Sequence, residues 1–253
     1  MVPGVRLVLL GKQGAGKGTQ CVRLSRHYVV PHISTGDMLR AAGKSGTELG
    51  AQVSEYMRQG ELVPDEVIIQ AVEHRLDQHD TKERGFILDG FPRTVGQAEA
   101  LEGLLKPRGL DLVLDLEVPT EVVLDRLASR RVCSVCGQIF GMDNPARRGN
   151  ICDNCGGQLI QRDDDTEDSI RRRLELYAVS TEPLISWYLE RHKLAAVDGM
   201  GSAERVTGRL VRAIDNRRHH HSEAPGHVGP PPSAAPAPPA APAPAAAPPA
   251  AAE

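Results

Sequence analysis

The chain has 253 residues, and its 30 Lys and Arg against 33 Asp and Glu give a formal net charge of only −3 at pH 7. This balance argues against the general basic excess that draws proteins to nucleic acid or membrane surfaces, and an aromatic content of 3% argues against a stacking surface for single-stranded nucleic acid. No apolar run approaches the roughly 20 residues that span a bilayer, and the N-terminus lacks the features of a signal peptide, so we expect a cytoplasmic protein without membrane contact.

Apolar strand-like segments alternate with helical segments along most of the chain. Arg6–Leu10 is a short apolar run that leads into glycines, and Thr19–His27 has helical spacing. Further elements are predicted as strands at Phe86–Asp89, Leu112–Val118 and Leu194–Val197 and as a helix at Thr120–Arg131. Thr120 is the predicted N-cap of that helix. Strands that alternate with helices predict an α/β fold, with a parallel sheet wrapped by helices.

Two insertions and a tail interrupt this pattern. Residues 34–63 are helical and polar, and residues 130–165 are rich in Cys, Gly and Asn. The predicted core therefore consists of residues 1–33, 64–129 and 166–218. Residues 219–253 begin with three His residues and become mostly Pro and Ala. Such a segment has little to bury, so we expect a disordered tail.

A glycine-rich loop follows the first predicted strand. Gly11–Thr19 reads Gly-Lys-Gln-Gly-Ala-Gly-Lys-Gly-Thr, which contains the Gly-x-x-x-x-Gly-Lys spacing of a phosphate-binding loop, or P-loop. Because a helix follows, backbone N–H groups and the helix N-terminus would converge on phosphate oxygens. Lys17 would reach the β- and γ-phosphates, and Thr19 supplies the nearest hydroxyl because Gly18 replaces the usual Ser or Thr. The alternative is a purely structural turn.

Four of the five cysteines form two Cys-x-x-Cys pairs separated by 15 residues, at Cys133, Cys136, Cys152 and Cys155. This is the spacing of a four-thiolate zinc ribbon, and a closed set of four thiolates predicts a structural rather than a catalytic zinc ion. Disulfides are the alternative, but they fit poorly with a cytoplasmic enzyme. Cys21 remains as a predicted buried packing residue.

Three motifs together resemble the adenylate kinases. Gly14–Gln20 reads GAGKGTQ, Ser34–Arg40 reads STGDMLR and Leu88–Thr94 reads LDGFPRT, in the order that the family has them. The resemblance runs from about residue 4 to about residue 214. One departure is Lys12-Gln13, where the family usually has two prolines.

The resemblance implies a P-loop NTPase core, an AMP-binding domain at residues 34–63 and a zinc-binding lid at residues 130–165, as in bacterial long-lid members. It implies a monomeric enzyme with the partners ATP, AMP and ADP. The implied reaction is the reversible, Mg²⁺-dependent transfer of the terminal phosphate of ATP to AMP, giving two ADP, in adenine nucleotide homeostasis and nucleotide biosynthesis.

The resemblance also assigns site residues. Those for ATP are Gly14, Ala15, Gly16, Lys17, Gly18, Thr19, Arg126, Arg130, Ile139, Phe140 and Gly201. Those for AMP are Thr35, Arg40, Glu61, Leu62, Val63, Gly90, Arg93, Gln97, Arg162 and Arg173. The implied catalytic residues are Lys17, Arg93, Arg130, Arg162 and Arg173. The chemistry agrees, since arginine offers planar bidentate donors to phosphate and glutamine offers a donor and an acceptor to an adenine edge.

Further expectations concern single residues. Asp89 ends a strand at the edge of the sheet where ligands bind in open α/β folds, so we expect it to hold Mg²⁺ through water; the alternative is a turn cap. Arg126 and Arg130 are four apart and would share one helix face. His27 and His32 are predicted to be packing or surface residues. No catalytic base is expected, because phosphoryl transfer depends on positioning and charge neutralisation.

Two other functions remain open at this point. One is a related kinase that uses another nucleoside monophosphate, or GTP as donor. The other is a nucleic-acid-binding zinc ribbon fused to a nucleotide-dependent switch. The ribbon has Arg147 and Arg148 but few aromatic residues beyond Phe140, and this composition disfavours nucleic-acid binding.

Overall fold

The computed structural model describes the backbone of residues 4–222 and the side chains of residues 4–218. Within that part of the chain, no helix is both long enough and apolar enough to cross a membrane. The last helix ends at Ser222, four residues into the predicted tail at 219–253, and the rest of that tail lies outside the described residues.

The strands are β1 Arg6–Leu10, β2 His32–Ser34, β3 Phe86–Asp89, β4 Leu112–Glu117, β5 Arg131–Cys133, β6 Ile139–Phe140, β7 Leu159–Ile160 and β8 Leu194–Asp198. The helices are α1 Lys17–Tyr28, α2 Thr35–Gly43, α3 Glu48–Gln59, α4 Asp65–Leu76, α5 His79–Arg84, α6 Val95–Leu104, α7 Thr120–Ser129, α8 Glu167–Leu176, α9 Pro183–Glu190 and α10 Ala203–Ser222, with a π-helical turn at Tyr177–Thr181 between α8 and α9.

Five strands form the central sheet in the order β2-β3-β1-β4-β8, and every neighbouring pair is parallel. The predicted α/β class with a parallel sheet is therefore confirmed. The sheet carries a hydrophobic core on each face. Leu7 and Leu9 of β1 belong to one buried cluster, and Val8 and Leu10 belong to the other. A strand buried on both faces must be apolar throughout, which explains why this segment shows no alternation of polar residues.

Helix starts follow local capping rules. The side chains of Ser34, Thr47, Thr94 and Thr166 accept hydrogen bonds from the first turns of α2, α3, α6 and α8. Such caps satisfy backbone donors that have no partner within the helix.

The helix α7 differs from the prediction at both ends. Pro119 occupies the N-cap position, and the Thr120 hydroxyl instead accepts a hydrogen bond from Lys12 Nζ at 2.8 Å. The helix ends at Ser129, because Arg130 has extended backbone angles and β5 begins at Arg131. Arg126 and Arg130 therefore do not share a helix face.

The two insertions form separate structures. Residues 34–63 contain α2 and α3, which pack against each other. Residues 130–165 contain a three-stranded sheet in the order β6-β5-β7, with antiparallel pairs.

The small strand β2 of the central sheet was absent from the sequence prediction, because its three residues carry too little pattern.

Candidate nucleotide-binding site

The P-loop connects β1 to α1 and adopts a glycine-dependent shape. Gly11, Gly14 and Gly16 have φ angles of 131°, 85° and 100°, a region that other residues rarely adopt. At Gly14 a Cβ atom would also lie 2.9 Å from Leu127 Cγ and 3.0 Å from the Val123 carbonyl oxygen. The loop consequently needs glycine both for its backbone angles and for its packing against α7.

Lys17 begins α1 and lies inside this loop. Its Nζ donates hydrogen bonds to the carbonyl oxygens of Gly11 at 2.7 Å and Lys12 at 2.9 Å. Burial lowers the pKa of Lys17, and the charges of Arg93 and Arg130 lower it further, whereas Asp89 opposes them. A buried ammonium group between other cations favours an anionic ligand.

Asp89 ends β3 beside the P-loop. Its Oδ2 atom lies 3.5 Å from the position that a Cβ atom would take on Gly18. Burial alone would raise the pKa of Asp89, but the ring of His32 and the charge of Lys17 outweigh burial and leave the pKa below its ordinary value. His32, predicted to be a packing or surface residue, is largely buried, with Nε2 3.5 Å from Asp89 Oδ2.

Next to Asp89 lies the predicted acceptor side. Thr35 is buried, and its hydroxyl donates to the Asp89 carbonyl oxygen at 3.2 Å. Arg93 Nε donates to the Gly90 carbonyl oxygen at 2.8 Å. A Cβ atom on Gly90 would lie 2.9 Å from the Thr35 hydroxyl and 3.1 Å from Arg93 Nη2, so glycine is needed for the close approach of these groups.

Gln97 is buried and held at both ends of its amide. Its Oε1 accepts from the Arg93 backbone N–H at 2.7 Å, and its Nε2 donates to Asp65 Oδ1 at 2.6 Å. The other oxygen of Asp65 accepts from the Thr94 hydroxyl at 2.9 Å. A primary amide has two N–H donors and two acceptor lone pairs, so one of each is left for a ligand.

Two buried aspartates organise the predicted arginines. Asp165 pairs with Arg130 through both carboxylate oxygens. Asp164 Oδ2 lies 2.6 Å from Arg173 Nη2 and 3.7 Å from Arg40 Nη1. The guanidinium groups influence one another as well, since burial and the charges of other arginines lower the pKa of both Arg93 and Arg162. The structure thus brings together residues that are far apart in the sequence: Arg40, Arg93, Arg130, Arg162 and Arg173.

Arg162, like Arg93, has no ion-pair partner among the described side chains. Burial, followed by the charges of Arg40 and Arg130, lowers its pKa to about 10. Across residues 4–218, no carboxylate oxygen lies within 4.0 Å of its guanidinium nitrogens. Arg162 is therefore a half-buried cation available to a phosphate group.

The cysteine-rich insertion lies over the P-loop. Ile139 Cδ1 is 3.9 Å from the position of a Cβ atom on Gly18, and Arg126 donates to both the Ala15 carbonyl oxygen at 3.2 Å and Asp143 Oδ2 at 2.6 Å. Phe140 instead packs inside the insertion, where its side chain is buried with Leu159 and two cysteines. The ring of Phe140 is therefore buried and is not free to make the predicted contact with ATP.

The remaining predicted residues lie in two other segments of the chain. The carboxylate of Glu61 pairs with Arg172 Nε at 2.7 Å, while Leu62 is half-buried and Val63 is buried. Gly201, with φ 101°, lies between β8 and α10. None of these four residues has a side-chain hydrogen-bond donor, so each can donate to a ligand only through its backbone N–H.

The four lid cysteines meet in one cluster. Their Sγ atoms all lie within 4.8 Å of one another, with 3.4 Å between Cys133 and Cys155 and 3.6 Å between Cys136 and Cys152. A tetrahedron with Zn–S bonds of about 2.3 Å places sulfurs roughly 3.8 Å apart, whereas a disulfide requires about 2.05 Å. All four are free cysteines, so the disulfide alternative is not realised. A backbone N–H from Gln138 and the neighbouring Cys155 lower the pKa of Cys136 to about 6, whereas hydrogen bonds with Cys133 and Cys136 raise the pKa of Cys155 to about 12, so the thiol protons are shared unequally within the cluster.

Comparison with known proteins decides the family. A family model described as adenylate kinase matches residues 9–193. An adenylate kinase of Thermodesulfovibrio yellowstonii is 49% identical over 216 residues, which cover 84% of this chain and 100% of that protein. Those of Archaeoglobus fulgidus and Streptomyces griseus are 51% and 48% identical, over 80% and 83% of this chain and 94% and 97% of theirs. The chain belongs to the adenylate kinase family.

Membership of the adenylate kinase family confirms the predicted family, fold class and enzyme class.

Several residues of this site were nevertheless missed by sequence reasoning, namely His32, Asp65, Asp164 and Asp165. The run Asp163–Asp165 directly after Arg162 was a usable signal, because three carboxylates beside predicted phosphate-binding arginines need cationic partners. Asp65 had only a weak signal, as the first residue of a helix.

Proposed function

We propose that this member of the adenylate kinase family transfers the terminal phosphate of ATP reversibly to AMP, with Mg²⁺, and so yields two ADP. The observation that carries the proposal is the convergence of Lys17 and five arginines between the P-loop and the pocket of Thr35 and Gln97. Phosphoryl transfer needs this kind of charge neutralisation, with the two nucleotides held in line.

The donor nucleotide would bind at the P-loop. Backbone groups of residues 14–19 would hold the β- and γ-phosphates, and Lys17 would exchange its two carbonyl partners for phosphate oxygens. Arg126 already contacts the loop at Ala15 and would remain beside the ATP phosphates. Ile139, Phe140 and Gly201 complete the proposed ATP site, with Phe140 contributing through backbone or after a rearrangement of the lid.

The acceptor would bind between Thr35 and Gln97. Arg40 and Arg93 would hold the AMP phosphate, and Thr35 and Gln97 would contact the adenine base, with Glu61, Leu62, Val63 and Gly90 lining the pocket. The remaining N–H donor and lone pair of Gln97 match the adjacent donor and acceptor of an adenine edge. Guanine presents the reverse pattern at that edge, which favours AMP over GMP.

Arg130, Arg162 and Arg173 would bind the phosphoryl group during transfer. Each guanidinium offers several N–H donors to oxygens that carry the shared charge in the transition state. The absence of a carboxylate partner for Arg162 among the described side chains supports its role here. Lid closure would exclude water and so suppress ATP hydrolysis.

The residues around the P-loop fit Mg²⁺. Asp89 favours its charged form, and a water-mediated contact suits a cation that keeps part of its hydration shell. When bound, Mg²⁺ supplies charge neutralisation to the β- and γ-phosphates of ATP. Asp89 would orient the metal's water ligands from the end of β3.

The four lid cysteines would hold a structural zinc ion. We assign residues 130–165 to the zinc-binding lid, 34–63 to the AMP-binding domain, and 1–33, 64–129 and 166–218 to the P-loop core. The lid buries only a small cluster of its own, so metal ligation would supply much of its stability. We further propose a cytoplasmic monomer that binds nucleotides and neither nucleic acid nor membranes.

A coupled assay across acceptors and donors tests the proposal. ATP or GTP would be combined with AMP, CMP, UMP or GMP, and bound metal would be counted in the same sample. We expect the pair ATP and AMP to give the highest kcat/KM by at least about a hundredfold, with one retained zinc ion per chain. A comparable rate with another monophosphate would assign the chain to a different acceptor class. Salt-sensitive nucleic-acid binding without phosphotransfer would favour the ribbon alternative.

A further inference from the structure

A second group of metal-ligating side chains lies under the P-loop, away from the lid cysteines. Cys21 on α1, His32 on β2 and Asp89 on β3 each direct one ligand atom to a common point, and these atoms lie within 4.8 Å of one another. The fold creates this meeting point, because β2 and β3 are adjacent parallel strands and α1 packs against β3. The three residues come from separate segments.

The burial of these side chains and their unsatisfied polar atoms favour a bound ligand. The Nε2 atom of His32 is fully buried, and its contact with the Asp89 carboxylate is too long to satisfy it as a hydrogen bond. Cys21 is also completely buried. Buried polar nitrogens without partners are uncommon in folded proteins, and some of them mark the place of a bound ion. The carboxylate of Asp89, whose Oδ2 lies 3.5 Å from His32 Nε2, faces the same point.

We propose that Cys21 Sγ, His32 Nε2 and the Asp89 carboxylate form a binding site for a divalent cation of the Zn²⁺ class. Sulfur, imidazole and carboxylate are the ligands that zinc takes in proteins, and sites with three protein ligands keep an open fourth position. Mg²⁺ prefers an octahedron of oxygens, so this ligand set discriminates against it. Binding releases the Cys21 thiol proton to solvent, since the thiolate is the ligand.

The site borders the P-loop at Asp89. The His32 and Asp89 side chains retain 17% and 14% exposure, and Asp89 Oδ2 approaches Gly18 of the P-loop. Lys17 does not occupy the carboxylate, because its Nζ is held by the carbonyl oxygens of Gly11 and Lys12. The Asp89 carboxylate is therefore free to take a cation, which Cys21 Sγ and His32 Nε2 would ligate from the buried side of the site.

Shared use of Asp89 gives the site a regulatory consequence, which rests on the proposed function. A zinc ion on Asp89 excludes the water-mediated Mg²⁺ contact of the same carboxylate. Zinc binding would then inhibit turnover in competition with Mg·ATP. The binding of the cation itself does not depend on which reaction the protein catalyses.

Zinc stoichiometry tests the site directly. Full-length protein with its lid metal in place would be titrated with Zn²⁺ in a chelating buffer, and bound zinc would be counted after rapid filtration. We expect one further equivalent in the wild type, lost in both Cys21→Ala and His32→Gln and retained in His27→Gln, which alters an exposed histidine of α1. Cys152→Ser should keep this equivalent while losing the lid metal. A wild type without the further equivalent, or a Cys21→Ala variant that retains it, would overturn the proposal.

Turnover in the presence of Zn²⁺ provides the second readout. We expect half-inhibition at a zinc concentration at least tenfold higher in Cys21→Ala and His32→Gln than in the wild type, and unchanged in His27→Gln. Equal zinc sensitivity in all four proteins would overturn the regulatory part. If the chain transfers no phosphate to AMP, the stoichiometry measurement still decides whether the cation site exists.

Discussion

The guanidinium group of Arg130 contacts both carboxylate oxygens of Asp165, with 2.8 Å between Nε and Oδ2. These residues are the first and last of the proposed lid, and their side chains are 11% and 0% exposed. The pair therefore joins the two chain segments at the base of the insertion. It also fixes the orientation of an arginine that we assign to the transferring phosphoryl group.

Replacement of Asp165 by Asn should destabilise the protein. The change leaves Arg130 buried without a full counter-charge, which costs about 3 kcal/mol of unfolding free energy. Urea unfolding would measure the loss. The matched control is Asp163→Asn, at an exposed position two residues earlier, which should change stability by less than about 0.5 kcal/mol. Equal stability of the two variants would contradict the importance of the pair.

Lys17→Ala should abolish most phosphotransfer while the fold is kept. The ammonium group would stabilise phosphate charge in the transition state, so its loss should lower kcat by about 10²- to 10³-fold. Steady-state kinetics and circular dichroism would be compared with those of Lys12→Ala, whose Nζ donates a hydrogen bond to the Thr120 hydroxyl. Near wild-type turnover in Lys17→Ala would refute the P-loop assignment.

Asp65→Ala should weaken AMP binding without affecting ATP. Asp65 holds the Gln97 amide and the Thr94 hydroxyl, so its removal frees Gln97 to rotate and costs about 1.4 kcal/mol, or about a tenfold rise in KM for AMP. The KM for ATP should stay constant. Glu66→Ala removes an exposed neighbouring carboxylate and serves as the control. Parallel changes in both KM values would argue against an acceptor-specific role.

Cys152→Ser should release the lid metal and loosen residues 130–165 selectively. Loss of one thiolate from the cluster removes a ligand that is itself buried. Metal analysis and hydrogen exchange should show zinc loss with faster exchange in the lid, while the central sheet stays protected. Cys21→Ser leaves the cluster intact and should retain the lid metal. A wild-type protein without retained zinc would defeat the assignment.

Asp115 predicts a dependence of stability on pH. Burial and then the charge of Glu117 raise the pKa of Asp115 from 3.8 to about 6. Because the folded state binds the proton more tightly, this carboxyl lowers stability progressively as pH rises from about 4 to about 6. Asp115→Asn should be more stable than the wild type by about 1–2 kcal/mol at pH 7.5 and equal to it near pH 4.

Denaturant unfolding at a series of pH values measures this effect. Asp125→Asn, on the exposed side of α7, is the control and should run parallel to the wild type. A constant difference between Asp115→Asn and the wild type across this pH range would mean that titration of Asp115 is not the cause.

Local signals were sufficient for four of the five strands of the central sheet, for the P-loop and for the cysteine cluster. Leu7–Leu10 is apolar throughout because both faces are buried, and the glycines after it are required by their φ angles. The partners of long side chains were beyond sequence reasoning. Gln97 finds Asp65 across 32 residues, and Arg130 finds Asp165 across 35. Such pairs depend on how helices and insertions pack, which residue spacing does not encode.

The end of α7 is a second case in which the sequence pattern did not predict the structure. Residues 120–131 have a continuous helical pattern, yet the chain leaves the helix at Arg130 to pair β5 with β6 and β7. Tertiary pairing outweighs local propensity there. As a result, Arg130 is presented from an extended segment and not from the helix face that its spacing to Arg126 indicated.

In the ligand-free protein, Arg162 lies close to other positively charged guanidinium groups. Mutual repulsion between these cations is present before any nucleotide arrives and is relieved when phosphate oxygens enter. Part of the binding free energy for a polyanion therefore comes from the relief of this repulsion, which destabilises the folded protein while no ligand is bound. Added salt acts on both sides of this balance, since the same ions that screen the repulsion also compete with the nucleotide.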